Sequence, residues 1–469
     1  MTTSAHNIVV VGGGPVGMVV AHALTKAGID FVLLESRPSI VQPVGASLVL
    51  SPIGLRALSQ FGVMPAIEKV SAILSICKRF DHQGRTIGDI ELFSYLRQNH
   101  GYASRIISRQ NLMQILLDSL PAEAQSKLLL DKKVSGIRKT KDGVVVECTD
   151  GTLYEGSLVI GSDGAYSSVR KYMRTMDDEP DAQEPSSPTA EQEEAEDKEL
   201  LPYLTTYRCF WMRFPRLPGI MPGDVTEAHG PQATTQYFAN EDTAIVAVYE
   251  RLPQPTRRPP RRYSDADEAA LVARWGHLPL HDNHSHTRGA ILTLAEAYVH
   301  ATQTGFINLE EGVAADWSRA GRAVLVGDAA HKFTPSTGAG CNNGIIDVVV
   351  LVNKLNKIFA SAAATTSGSV AVPKDELATA FREYQDARFN VVTLGCSLSG
   401  RATANASWAT PWDKLLDLYV LSWNTVVKLF LGWAAKKTVL TPVFDFIAGE
   451  DKVVGNYRWV HAMPKRKLL

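Results

Sequence analysis

Cysteine is scarce in this chain of 469 residues: there are five, at positions 77, 148, 209, 341 and 396. The number is odd, and no Cys-x-x-Cys or Cys-x-His spacing occurs. That pattern excludes a zinc ribbon or a disulfide framework and predicts reduced thiols in an intracellular setting. An excess of one charge is also missing. Forty-eight Lys and Arg face 49 Asp and Glu, and a chain without a basic excess is poorly suited to nucleic acid. Long apolar runs are absent. The leading MTTSAHNIVVVGGG has no basic start and breaks at glycines, unlike a secretory signal. Segment 413–450 is rich in Leu, Val, Trp and Phe, but its longest charge-free run is ten residues. A spanning helix needs about 20 mostly apolar residues. Core-covering helices are the first reading there, and peripheral contact with a membrane surface is the alternative. HDNHSH (281–286) groups three His without helical spacing or Cys/Asp partners, so a polar loop and no metal site are expected.

Strands and helices alternate along the rest. NIVVVG (7–12) reads as a buried strand, 15–28 as a helix and DFVLLES (30–36) as a second strand. Residues 144–164 read as strand, Asp-Gly turn, strand, and a further buried strand in SLVIGSDG. Between 177 and 199 lie eleven acids, one Lys and three Pro, the composition of a solvated, flexible insertion. TTYRCFWMRF (205–214) and DTAIVAVYERL (242–252) predict a second sheet. The Arg group at 257–262 belongs to a Pro-interrupted solvated loop, followed by a helix at 265–276. RAVLVGDAA (322–330) returns to the first strand pattern, with helices at 343–361 and 374–391. An α/β fold follows, with two or three packed subdomains.

Three motifs carry chemistry. In VVVGGGPVGMVVAHALTKAGIDFVLLES, Gly12, Gly14 and Gly17 satisfy G-x-G-x-x-G directly after a strand and at the start of a helix. Gly12 allows the sharp turn, Gly14 lets backbone approach a pyrophosphate, and Gly17 lets helix and sheet pack. Glu35 ends the second strand, where its carboxylate can accept from a ribose. Strand, helix, strand and terminal acid in order predict a dinucleotide site. LVIGSDGAYSSVRKYM (158–173) puts Asp163-Gly164 after a buried strand; alone it is a turn. GDAAHKFTPSTGAG (327–340) puts Asp328 after another strand, able to accept from sugar-alcohol hydroxyls. A helix beginning near 338–343 offers free N–H groups to an electron-rich ring edge.

Together, GGGPVG, GSDGAYSSVR and GDAAHKFTPSTGAGCNNGIID resemble the single-component, FAD-dependent class A monooxygenases, the para-hydroxybenzoate hydroxylase family, over roughly 7–390. The resemblance implies a Rossmann-like FAD-binding domain of the glutathione-reductase type, discontinuous over 1–75, 101–176 and 316–390. It implies a β-sheet substrate domain at 76–100 and 200–315, and leaves a helical C-terminal region at 391–469. By the same resemblance Gly12, Gly14, Pro15, Gly17, Glu35, Arg109, Asp163, Asp328, Pro335, Gly338, Ala339, Gly340 and Cys341 lie at the FAD. Arg109 opens the matching Arg-x-x-Leu helix start in SRQNLMQILLDSL. STGAGCNN departs from the GGQGGNN-like run of many relatives, and Cys341 reads as a small packing residue. There is no second G-x-G-x-x-G, so NAD(P)H, with NADPH favoured, is expected to visit without a Rossmann domain of its own.

SPIGLRALSQFGV, YRCFW and the apolar C-terminal region look like the filamentous-fungal branch that tailors secondary metabolites, which includes epoxidases of meroterpenoids and indole diterpenes. The implied chemistry is hydride transfer to FAD, a flavin C4a-hydroperoxide formed with O2, and epoxidation or hydroxylation of a hydrophobic small molecule. Baeyer–Villiger oxygenation is the rival within the class; a flavin reductase or binding protein that does not activate oxygen is the rival outside it. Tyr207 and Arg208 are the candidates for catalysis and substrate control, with Tyr237 and Tyr249 as further substrate contacts roofing the flavin. Arg208 is suited to orienting a phenolate or donating to an alkoxide. His331 is expected to be structural, bonded to nearby backbone, and Trp317 to be packing. A monomer or homodimer is expected.

Overall fold

The computed structural model describes residues 3–43, 45–174, 176, 202–257, 262–282, 291–365 and 372–465. The acidic insertion at 177–199 lies outside these, as do 258–261 of the basic loop and 283–286 of the His tract.

Two large sheets organise the chain. The first has eight strands around a parallel centre: Thr3–Val11 pairs with Phe31–Leu34 on one side and Leu153–Gly161 on the other, and the latter pairs with Ala323–Leu325. Three distant stretches thus become neighbours. Ile8, Val9 and Val10 are fully buried, which is why this strand reads as an unbroken apolar run. The region after the Asp150-Gly151 turn is one strand, not the two expected. Its first half pairs with Val144–Cys148 and its second with Ala323–Leu325, while Thr3–Val11 backs its whole length.

The second sheet has seven strands, in the order His331–Lys332, Gln303–Val313, Leu204–Pro215, Thr243–Thr256, Ala233–Ala239, Val225–Gly230 and Cys77–Asp81. Period-2 alternation gives it two chemically different faces. Phe210, Met212, Phe214, Val246 and Val248 pack with Leu271 of the helix Asp265–Trp275. Tyr207, Cys209, Trp211, Ile245 and Tyr249 point the other way, against Ala46.

Two long helices, Ala339–Thr365 and Lys374–Ala406, pack together. The second continues to Ala406 instead of ending at 391. Its buried stripe there is Val392, Cys396, Ser399 and Thr403, small and polar side chains that carry helical spacing without an apolar signal. The chain then forms Pro411–Tyr419 and Asn424–Thr438, bent by 98° at their junction. Among the described residues no single helix is long and apolar enough to cross a membrane.

Candidate active site

The first strand-to-helix turn is built around glycine. Gly12 has φ of 100°, and a Cβ there would lie 2.7 Å from Asp163 Cα; one on Gly17 would lie 1.9 Å from the Gly12 carbonyl oxygen. Pro15 opens the helix Pro15–Ala27, and Gly14 caps it without any side-chain hydrogen bond. The first helical N–H groups therefore face outward uncapped. Glu35 locks the turn, its Oε2 accepting from Gly13 N at 2.7 Å and its Oε1 from Arg37 N at 2.9 Å.

Arg109 begins the helix Arg109–Asp118. Its Nη2 faces Gly14, 3.6 Å from where a Cβ would stand. Its guanidinium has no hydrogen-bonding partner among the described residues, and burial pushes its pKa down. Gly13, Gly14, Glu35, Arg37 and Arg109 line one narrow groove. An unpaired, desolvated guanidinium beside an uncapped helix N-terminus is a site built for an anion, and the pyrophosphate of FAD fits that donor set.

Asp163 lies against this turn, but its carboxylate is already engaged. It accepts from Ser167 Oγ at 2.5 Å, Ser168 N at 2.6 Å and Val169 N at 3.1 Å, capping the helix Ser168–Met173. Burial raises its pKa. These three bonds make the residue shape the loop.

Asp328 sits on a 3-10 turn, Gly327–Ala329, with its side chain about two-fifths exposed and Lys332 Nζ at 2.7 Å. Burial opposes its charge, but Lys332 holds the carboxyl below the usual range, with His331 and Arg109 adding to the effect. The next turn, Pro335–Thr337, hands over through Gly338 (φ 61°) to the helix starting at Ala339. Gly340 stands beside Asp328, and Cys341 is half-buried with its thiol raised to about 12 by burial. At that value the thiol is neutral, as a packing residue requires.

The supports of this loop were not foreseen. Asn342 donates to the carbonyls of Val49 (2.8 Å) and Gly338 (2.7 Å) and accepts from Ser51 N (2.9 Å). Ser336 bonds Thr403 at 2.5 Å, and Thr337 bonds Ser399. His331 is structural, though not through backbone. Its Nε2 meets Asp347 Oδ2 at 2.5 Å, and Asp347 also accepts from Gly327 N (3.0 Å) and Arg388 Nε (2.8 Å). Asp347 thereby fixes the turn that presents Asp328.

The second sheet divides the four aromatic and Arg candidates. Tyr207 and Tyr249 lie on the face toward Pro335–Thr337. Tyr207 Oη bonds Ser407 Oγ at 2.9 Å; Tyr249 donates to Gln236 Oε1 at 2.9 Å, and Gln236 Nε2 donates to the Ser336 carbonyl at 3.0 Å. Arg208 and Tyr237 point away, a correction that follows from strand alternation. Arg208 Nε donates to Glu250 at 2.6 Å and lies 5.2 Å from the Phe306 ring centre. Tyr237 is fully buried between Phe214 and His281.

Sequence reading also missed a buried ion cluster on the site-facing side. Arg79 Nη1 donates to Asp417 Oδ1 at 2.8 Å; His229 Nδ1 meets Asp417 Oδ2 at 2.9 Å and its Nε2 meets Glu227 Oε2 at 3.0 Å. Glu227 Oε1 accepts from Gln236 Nε2 at 2.6 Å. With a carboxylate at each ring nitrogen, His229 must donate from both and is an imidazolium. Burial works against that charge, but Asp417 and Glu227 hold the pKa up at about 9.

A family model described as FAD binding domain matches residues 5–185 and 223–366. The chain belongs to this FAD-binding family. FAD-dependent monooxygenase DEP2 of Alternaria brassicicola is 29% identical over 461 residues, covering 96% of this chain and 80% of that protein. FAD-dependent monooxygenase ausM of Penicillium brasilianum is 28% identical over 384 residues, 81% of this chain and 75% of that protein. Klebsiella pneumoniae HpxO, crystallised with FAD and uric acid, has the same fold. Its TM-score is 0.68 at 18% identity, over 92% of this chain and 96% of that one. The chain thus carries an FAD-binding domain and is an FAD-dependent oxidoreductase.

Proposed function

We propose that this flavoprotein takes electrons from NAD(P)H, with NADPH favoured, and inserts one oxygen atom into a hydrophobic small molecule, by epoxidation or hydroxylation, in fungal natural-product biosynthesis. Substrate, O2, NAD(P)H and a proton give oxygenated substrate, water and NAD(P)+. The observation that carries the reading is the groove where the unpaired Arg109 guanidinium meets the uncapped helix at Gly14.

On this reading Gly12, Gly14, Pro15, Gly17 and Arg109 hold the pyrophosphate, and Glu35 offers its remaining lone pairs to the ribose. Asp163 shapes the adjoining turn. Asp328 takes the ribityl hydroxyls, while Pro335, Gly338, Ala339, Gly340 and Cys341 bring backbone close to the ring. Bound FAD supplies the hydride acceptor and the activation of O2. The second sheet supplies orientation and excludes water. Tyr207 and Tyr249 are the substrate-side candidates, and burial keeps both phenols neutral by raising their pKa. We propose that residues 1–75, 101–176 and 316–390 carry the cofactor, with 76–100 and 200–315 as its roof and 391–469 closing over both.

Purified holoenzyme is expected to consume O2 with NADPH faster when a suitable polyene, indole or phenol is added. Mass spectrometry should then find a product heavier by one oxygen atom. Flavin that bleaches with NADPH without substrate-stimulated O2 uptake would overturn the reading in favour of a reductase.

A further inference from the structure

The helix Pro411–Tyr419 is inverted relative to an ordinary surface helix. Its carboxylates point inward: Asp413 and Asp417 are each 1% exposed, while Trp412 is 79% and Tyr419 66% exposed. Amphipathic helices of globular proteins bury the apolar stripe and solvate the charges. After the bend the pattern persists. Trp423 is 65% and Leu429 71% exposed, and Leu415, Phe430, Trp433 and Leu440 are exposed as well. Val427, Leu431 and Ala435 form the inward stripe of the second helix.

The charges on the outward side have one sign. Between 411 and 440 the acids are Asp413 and Asp417, both turned inward, whereas Lys414, Lys428, Lys436 and Lys437 are all exposed. Lys437 lies 4.5 Å from the Trp433 ring centre and Lys414 4.7 Å from that of Trp408. The chain as a whole has formal charge −1, so this face is locally cationic. Two acidic residues adjoin the start of the second helix: Asn424 donates to the Asp89 carbonyl at 3.0 Å and accepts from Glu91 N at 3.0 Å.

We propose that the outward face of Pro411–Tyr419 and Asn424–Thr438 docks on the surface of an anionic lipid bilayer. Trp and Tyr favour the boundary between headgroups and acyl chains, and Lys beside them pairs with lipid phosphates. At nine and fifteen residues each helix is shorter than the roughly 20 residues a span needs, and with a 98° bend between them the pair fits elements lying on a membrane. The inward acids hold the element in place. Asp417 is tied to Arg79 and His229, and Asp413 to Arg401. The docked face is thereby fixed relative to the site-facing side of the second sheet.

Flotation of the FAD-loaded enzyme tests this, with vesicles of phosphatidylcholine alone and of phosphatidylcholine mixed with phosphatidylserine. At low salt the protein should float with the anionic vesicles and bind neutral ones at least about tenfold more weakly, as several lysines near the surface imply. The triple variant Trp412→Ser, Trp423→Ser, Trp433→Ser and the charge variant Lys428→Glu, Lys436→Glu, Lys437→Glu should both lose flotation while retaining full FAD occupancy. Wild-type protein that stays unbound, or flotation indifferent to both variants, overturns the proposal. So does a wild-type dimer that ignores vesicles and becomes monomeric with the Trp variant, since a second copy would then be the occupant.

Discussion

The two sheets keep their polar groups in opposite places. The first is apolar through its strands, and its chemistry lies in the turns beyond them: Gly12, Gly14 and Gly17 after one strand, Asp163 after another, Asp328 after a third. The second carries ionisable side chains inside the sheet, with Glu227, His229 and Arg79 clustered around Asp417 of the helix Pro411–Tyr419. One works by exposing backbone at strand ends, the other by burying balanced charge. The difference teaches where to expect fragility: a turn built on glycine fails when volume is added, and an ion cluster fails when one member is removed.

The sharpest way to break the contrast is Asp417→Ala. It leaves a guanidinium and an imidazolium buried without their shared carboxylate, and removing one partner of such a set costs about 3–5 kcal/mol. Chemical denaturation of the holoenzyme measures it. The same cluster predicts a pH dependence. His229 has a folded pKa of about 9, raised above the free value near 6.5. Its contribution is complete below the free value and is lost as pH rises through about 9. The melting temperature should therefore fall on the alkaline side, and His229→Gln should flatten that fall. Asp417 and Glu227 are held below the usual carboxylate range, so their share disappears only in acid.

On the first sheet, Arg109→Ala should weaken FAD binding by about 1.5–3 kcal/mol, the scale of a charged hydrogen bond. Fluorescence titration of released flavin reads this, with little change in the stability of the apoprotein. Gly17→Ala should cost roughly 1–3 kcal/mol by overpacking, because the new Cβ meets the Gly12 carbonyl. A paler protein with a lower melting temperature is expected. Smallest is Arg208→Ala. Glu250 keeps Arg274 and Trp275 as partners, so stability should change by about 1 kcal/mol or less. Turnover should stay within about twofold; a large loss of kcat with normal stability would restore the residue to the site.

These same contrasts decide how much was legible in the sequence. The groove around Gly12, Gly14, Arg109 and Asp328 could be read because tight turns restrict which residues fit, and the restriction leaves local motifs. Tyr207 and Arg208 were read as a pair, yet a strand sends adjacent side chains to opposite faces, and nothing local says which face meets the flavin loop. The ion cluster left no motif. Asp417 lies 188 residues from His229 and 338 from Arg79, and within an apolar segment it looked like a mere interruption. Ser399 and Thr403 hid the last turns of the long helix, because hydroxyls that brace Thr337 and Ser336 carry no hydrophobic period.

The order of synthesis gives the Asp417 contacts one more consequence. Arg79 and His229 leave the ribosome long before the carboxylate they share, so the second sheet closes during translation without part of its charge balance. Any product cut short before Asp417 would hold the Arg79 guanidinium inside an apolar layer without a carboxylate, while His229 would keep only Glu227. Such a fragment should be insoluble or quickly degraded, even though every glycine of the nucleotide turn is already present.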